Sequence, residues 1–289
     1  MKFWPLLAAI LLALFVLHTP PLAAHELRLD GPLIQGGLVI GTTEPDAVVR
    51  FDGRQIRVSA QGVFLIGFGR DELGPLMLEV RHGDGGVTTR RLVIEPRDYQ
   101  LQRIDGLPAK MVNPGAEALA RIHREGAMIA AVRAMDSPEP LFAGGFVWPA
   151  HGPISGVYGS QRILNGEPKR PHFGVDVAAP AGAPVTAPAD GVIALAEDDL
   201  YYTGGTVMID HGHGLTSVYS HMSAVTASLG QRVSQGDVIG RVGATGRVTR
   251  SEEHTAEIQS RRNPVCRLLL ENKHPPPPLP DSHHDARLC

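Results

Sequence analysis

The stretch RPHFGVDVAAP, residues 170–180, sets an imidazole and a carboxylate, His172 and Asp176, four positions apart. Both are good zinc ligands, but a catalytic zinc site takes three protein donors and leaves a position for water. In a straight strand the two Cα atoms would lie about 13 Å apart on one face. Convergence on one ion therefore needs a bend, which Gly174 permits. Further imidazoles follow: His211 and His213 in IDHGHGL, His221 in YSHM, and His254 in SEEHTAE. His211 and His213 form an HxH pair, yet their glycine-rich setting reads as a hairpin turn rather than a ligand pair. His123 reads as a surface or packing residue and His151 as a strand-end residue, and His283 and His284 belong to a proline-flanked tail.

The elements that must position these groups are short strands. From Glu26 to Glu95, the runs LVIG, AVVRF, QIRVS, VFLIGF, LMLEV and TTRRLVI alternate with turn residues, which predicts a small antiparallel β domain over 25–97. Its charged residues read as a solvated face. Residues 98–140 read as a linker built on one helix, with Asn113 as cap, Pro114 in the first turn, and Leu119, Ile122, Ile129 and Val132 near helical spacing. From Phe146 onward, FVWP, ISGVYGS, VDVAAP, APVTAP, GVIALAE, GTVMIDH, TSVYSHM and QRVSQGDVIGRVG predict a second, all-β domain of many short strands over 141–249.

The order of HFGVD, AP, PV.AP.DG.V, GGTV.IDHG.G, YSHM and G..V..GD.IG..G.TG closely resembles the zinc metallopeptidases of the M23 (LytM and lysostaphin) family over residues 146–249. The resemblance implies a zinc ion held by His172, Asp176 and the second histidine of a later HxH. It also implies that His221 is catalytic without binding the metal, and that the first histidine of that HxH is catalytic too. The implied activity is cleavage of peptide cross-links in peptidoglycan. A non-catalytic peptidoglycan-binding or amidase-activating module is the alternative. A lipoyl- or biotinyl-type carrier is excluded, because no lysine lies between Lys169 and Lys273 to take the covalent cofactor.

The family pattern breaks after Thr249. Members continue into PHLHWE, whereas this chain continues into RSEEHTAEIQS, which resembles a translated sequencing-library adapter. By count, the metal-binding histidine falls on His254 and the catalytic one on Glu252. Residues 250–289, with four consecutive prolines and both cysteines, read as a foreign or disordered tail, leaving the last strands of the domain truncated and its activity impaired.

Residues 1–24 have the build of a secretory signal: Lys2, an apolar run from Leu6 to Leu17, then small residues up to Ala24. That run is shorter than the ~20 residues of a bilayer span. An uncleaved anchor is the alternative reading, and no cysteine near the site offers a lipid attachment point. Export to a periplasm is the expectation. A net charge of −3 provides no basic field for nucleic acid. The absence of cysteine from residues 25–265 leaves the body of the chain to be held by its apolar core.

Overall fold

The computed structural model describes residues 26–104, 115–164, 166–168, 170–246 and 255–260. The fold is mainly β, with one helix. The strands of the N-terminal part are β1 (Arg28–Asp30), β2 (Leu38–Thr42), β3 (Val48–Phe51), β4 (Arg54–Ile56), β5 (Val63–Gly67), β6 (Leu76–Arg81), β7 (Val87–Leu92) and β8 (Leu101–Ile104), followed by helix α1 (Ala116–Arg133). Then come β9 (Ile154–Gly156), β10 (Gln161–Leu164), β11 (Glu167–Pro168), β12 (Val175–Val177), β13 (Pro184–Thr186), β14 (Gly191–Leu200), β15 (Gly204–Gly212) and β16 (Leu215–Met222). The last are β17 (Ala224–Val225), β18 (Arg232–Val233), β19 (Val238–Arg241) and β20 (Thr255–Ser260).

Strands β1-β2-β5 form one sheet and β4-β3-β6-β7 another. Alternation along them turns Val39, Phe64 and Ile66 of the first toward Val49, Leu78 and Val80 of the second, and these side chains make one buried core. The expected strands from LVIG to TTRRLVI are all present; β1 adds an edge through Arg28↔Thr42.

The larger sheet has the order β18-β14-β15-β16-β20-β12-β9. It packs on a three-stranded sheet, β13-β19-β17, around Val185, Ile193, Val207, Ile209, Tyr219, Met222 and Ile239. Strand β15 is buried along its whole length, as a central strand covered on both faces must be. Helix α1 covers the outer face: Val132 and Ile129 pack on Leu195, Leu200, Met208 and Val218. His123 is exposed, as a surface reading requires.

Two expectations need correction. The helix is capped by Gly115 in extended conformation, with no side-chain cap; Asn113 lies outside the described residues. The helix of the expected linker is present, and ahead of it residues 101–104 form a strand that pairs in parallel with β10. The last strands are not all lost, because β20 occupies the sheet between β16 and β12. Its run TAEIQS alternates polar and apolar residues, a pattern compatible with a strand whatever the origin of the segment. Residues 1–25, and therefore the expected signal, lie outside the described residues. Among the described residues, no helix is long and apolar enough to cross a membrane.

Candidate metal centre

The bend expected between His172 and Asp176 is present. Residues 170–173 run irregularly, the chain bends at Gly174, and β12 begins at Val175. As a result His172 Nε2 and Asp176 Oδ1 stand 3.3 Å apart. Two donors each about 2.0–2.1 Å from a tetrahedral zinc would be separated by about 3.3–3.4 Å. The observed spacing therefore suits one ion as well as it suits a direct ion pair.

Backbone contacts hold both residues in place. His172 N–H donates to Ser160 O at 2.8 Å, and Gly159 N–H donates to His172 O at 2.7 Å. Asp176 pairs across the sheet with Gly156, where an added Cβ would fall 2.1 Å from Asp176 Oδ2. A side chain at position 156 would thus occupy the space of the carboxylate. On its other side, the register sets Thr255 of β20 opposite Asp176.

His221 lies at the end of β16, two strands away from β12 in the sheet, a separation of roughly 10 Å at about 4.8 Å per strand. Its φ is 64°, a left-handed conformation that costs a non-glycine residue on the order of 1–3 kcal/mol and is enriched at functional sites. The surroundings impose it: His221 N–H donates to Thr203 O at 2.7 Å, and the ring Nδ1 lies 2.8 Å from Thr245 O. A carbonyl oxygen only accepts, so Nδ1 carries the proton and Nε2 is the ring's acceptor. Thr245 is itself fixed, its hydroxyl donating to Met222 O at 2.7 Å and accepting from Gly205 N–H at 2.9 Å. Sequence reading identified the G.TG motif as a family mark without seeing that it holds His221.

The other HxH is a turn. Gly212 pairs with Leu215, and His213 and Gly214 have φ of 52° and 72°, the primed two-residue geometry that matches strand twist. His213 donates through Nε2 to Pro138 O at 3.0 Å. His211 is fully buried, its Nδ1 donating to Asp190 O at 2.6 Å and its Nε2 accepting from the Ser217 hydroxyl at 2.7 Å. Both ring nitrogens are thereby committed to the fold in the neutral form. His254 and Glu252 lie outside the described residues, and among the described residues no group of three or more His, Cys, Asp or Glu forms a metal cluster.

Burial pushes the His211 pKa down to about 4 from an ordinary 6.5. Between those values the unfolded chain binds the proton and the folded one does not, so stability rises with pH across that window. The contribution is fully present above pH 6.5 and is lost as pH falls toward 4, by on the order of 3 kcal/mol at about 1.4 kcal/mol per unit. Thermal unfolding at pH 7 and pH 5 should show a lower Tm at pH 5. A His211→Gln variant should show a flatter dependence, and an equal slope in both proteins would contradict this assignment.

A sequence model described as peptidase family M23 matches residues 170–265. The chain is 34% identical over 206 residues to the peptidoglycan DD-endopeptidase ShyA of Vibrio cholerae, an alignment covering 69% of this chain and 44% of that protein. It is 47% identical over 85 residues to the DD-carboxypeptidase/endopeptidase Mpg of Neisseria meningitidis, covering 29% of this chain and 19% of that protein. The chain thus spans less than half the length of these relatives. A crystal structure of a candidate peptidase M23 from Pseudomonas aeruginosa superposes with a TM-score of 0.58 at 29% identity, covering 80% of this chain and 91% of that one. The family match extends past Thr249 and takes in β20, and the superposition reaches the N-terminal strands as well as the larger sheet. The chain therefore carries a domain of peptidase family M23.

Proposed function

We propose that this chain is an exported zinc endopeptidase that hydrolyses peptide cross-links of bacterial peptidoglycan in the periplasm. The observation that carries the reading is the 3.3 Å approach of His172 Nε2 to Asp176 Oδ1 on a bent segment held by the Gly159–Ser160 turn. The names of the relatives, a peptidoglycan DD-endopeptidase and a DD-carboxypeptidase/endopeptidase, support the substrate class.

His172 and Asp176 would hold the ion, with His254, which immediately precedes β20 in the chain, as the third ligand. Zinc bound there would supply a water with its pKa lowered to about 7 and polarise the scissile carbonyl. His221, with Nδ1–H tied to Thr245 O, presents Nε2 to take a proton. Glu252 stands by count where the family has its second catalytic histidine. An ionised carboxylate can accept a proton but cannot donate a hydrogen bond to an oxyanion, which predicts slow turnover.

The experiment is digestion of purified peptidoglycan with and without a chelator, beside the zinc content of the protein. Chelator-sensitive release of cross-linked fragments supports the enzyme. A protein that binds the polymer without zinc or hydrolysis would support the wall-binding alternative. His221→Ala is expected to keep zinc at wild-type stoichiometry while reducing hydrolysis about 100-fold or more, the usual scale of a lost general acid or base. Loss of zinc from that variant would refute the assigned role.

A further inference from the structure

The turn that holds His172 is itself held from the N-terminal β region. Arg70 follows β5, and its side chain is 11% exposed. Its Nε donates to Gly159 O at 2.9 Å, and Gly159 N–H donates to His172 O at 2.7 Å. Two hydrogen bonds thus connect Arg70 to the main chain of the candidate ligand, the first of them reaching across 89 residues to Gly159. The guanidinium lies 4.1 Å from the centre of the Tyr99 ring, and the Tyr99 hydroxyl donates back to Arg70 O at 2.8 Å. Gly159 has a φ of 78°, and an added Cβ there would meet the Tyr99 ring at 2.0 Å. Gly36, another N-terminal residue, also closes on Tyr158: an added Cβ would fall 2.4 Å from that ring.

These contacts leave the 158–160 turn little freedom. Its carbonyl is satisfied by a charged donor, stronger than a neutral one, and its glycine closes against an aromatic face. The N-terminal region is therefore packed directly against the support of the ligand-bearing segment.

We infer that Arg70 is a positioning residue for His172, and that the N-terminal β region, through Arg70 and Tyr99, holds the metal-binding segment in its ligating geometry. The inference rests on the reading of His172 as a metal ligand. Groups that orient metal ligands typically contribute 10- to 100-fold in metal affinity.

The test compares Arg70→Met, which keeps an apolar stem without the donor, with Arg70→Lys, which restores a cationic donor. Zinc affinity would be measured by competition with a chromophoric chelator, the ligand field by visible absorption of the cobalt(II)-loaded protein, and folding by the Tm of the metal-free protein. Arg70→Met should bind zinc about 10- to 100-fold more weakly with an altered cobalt band. Its metal-free Tm should stay near wild type, and Arg70→Lys should recover most of the affinity. Unchanged affinity and cobalt band in Arg70→Met would overturn the inference. So would a fall in metal-free Tm that accounts for the affinity loss and that Arg70→Lys fails to reverse. His172→Ala is the control: if it left zinc affinity unchanged, the metal-site reading itself would fall, and this inference with it.

Discussion

Asp176→Ala is expected to remove zinc binding and peptidoglycan hydrolysis together, and His172→Ala to do the same. Each side chain would be a direct ligand in a site that needs three, so the loss in affinity should exceed the 10- to 100-fold typical of groups that only orient ligands. Asp176 is the sharper test because its surroundings are shaped around it: it is 8% exposed, and Gly156 leaves the space its carboxylate fills. Shortening it to Ala empties that space but leaves the β12 backbone pairing with Gly156 and Thr255 available. Titration with zinc beside the unfolding curve separates lost ligation from lost fold. An Asp176→Ala protein with wild-type zinc affinity would show that the 3.3 Å approach to His172 is an ion pair and nothing more.

Ending the chain at Thr249 should have an equally large effect, on stability first. In the seven-stranded sheet, β12 reaches the rest only through β20: five residue pairs join β20 to β16 and two join it to β12. At about 1 kcal/mol net per backbone hydrogen bond, removal of the strand costs several kcal/mol, a large part of an ordinary domain's 5–15 kcal/mol. The corresponding fall in Tm is about 10 °C or more, at roughly 2–4 °C per kcal/mol for a protein of this size. Zinc binding should go with it, although His172 and Asp176 remain, because the strand carrying Asp176 would lose the neighbour that joins it to β16. Reading residues 250–289 as an inert tail predicts the opposite, a truncated chain that melts with the full one. Thermal unfolding of the two chains decides between them.

His254→Ala and Thr255→Ala separate two further possibilities for the third donor. His254 is the residue that counting from the family pattern selects, and Thr255 is the residue that the strand register sets opposite Asp176. Only the first is expected to weaken zinc binding.

Much of this protein was legible in the linear order of residues. Alternating runs bounded by Gly, Pro and Asp marked nearly every long strand, because alternation and turn chemistry are local properties. The bend at Gly174 followed from the distance that His172 and Asp176 had to close. The turn at His213 followed from the glycines around it, although FVWP proved to be an irregular connection, not a strand. Other features depended on partners far away in sequence. Residues 101–104 became a strand because β10 lay beside them, and TAEIQS became one because β16 and β12 left a place between them. The left-handed His221 is imposed by Thr203 and Thr245, and no residue adjacent to it announces that conformation. The sequence by itself determined the residue types of the candidate site and the strand pattern that carries them, since both are written in short-range spacing. Tertiary structure alone decided which loop steadies His172 and which strand joins Asp176 to β16, since the first depends on an arginine side chain reaching a carbonyl across 89 residues and the second on strands pairing across 79.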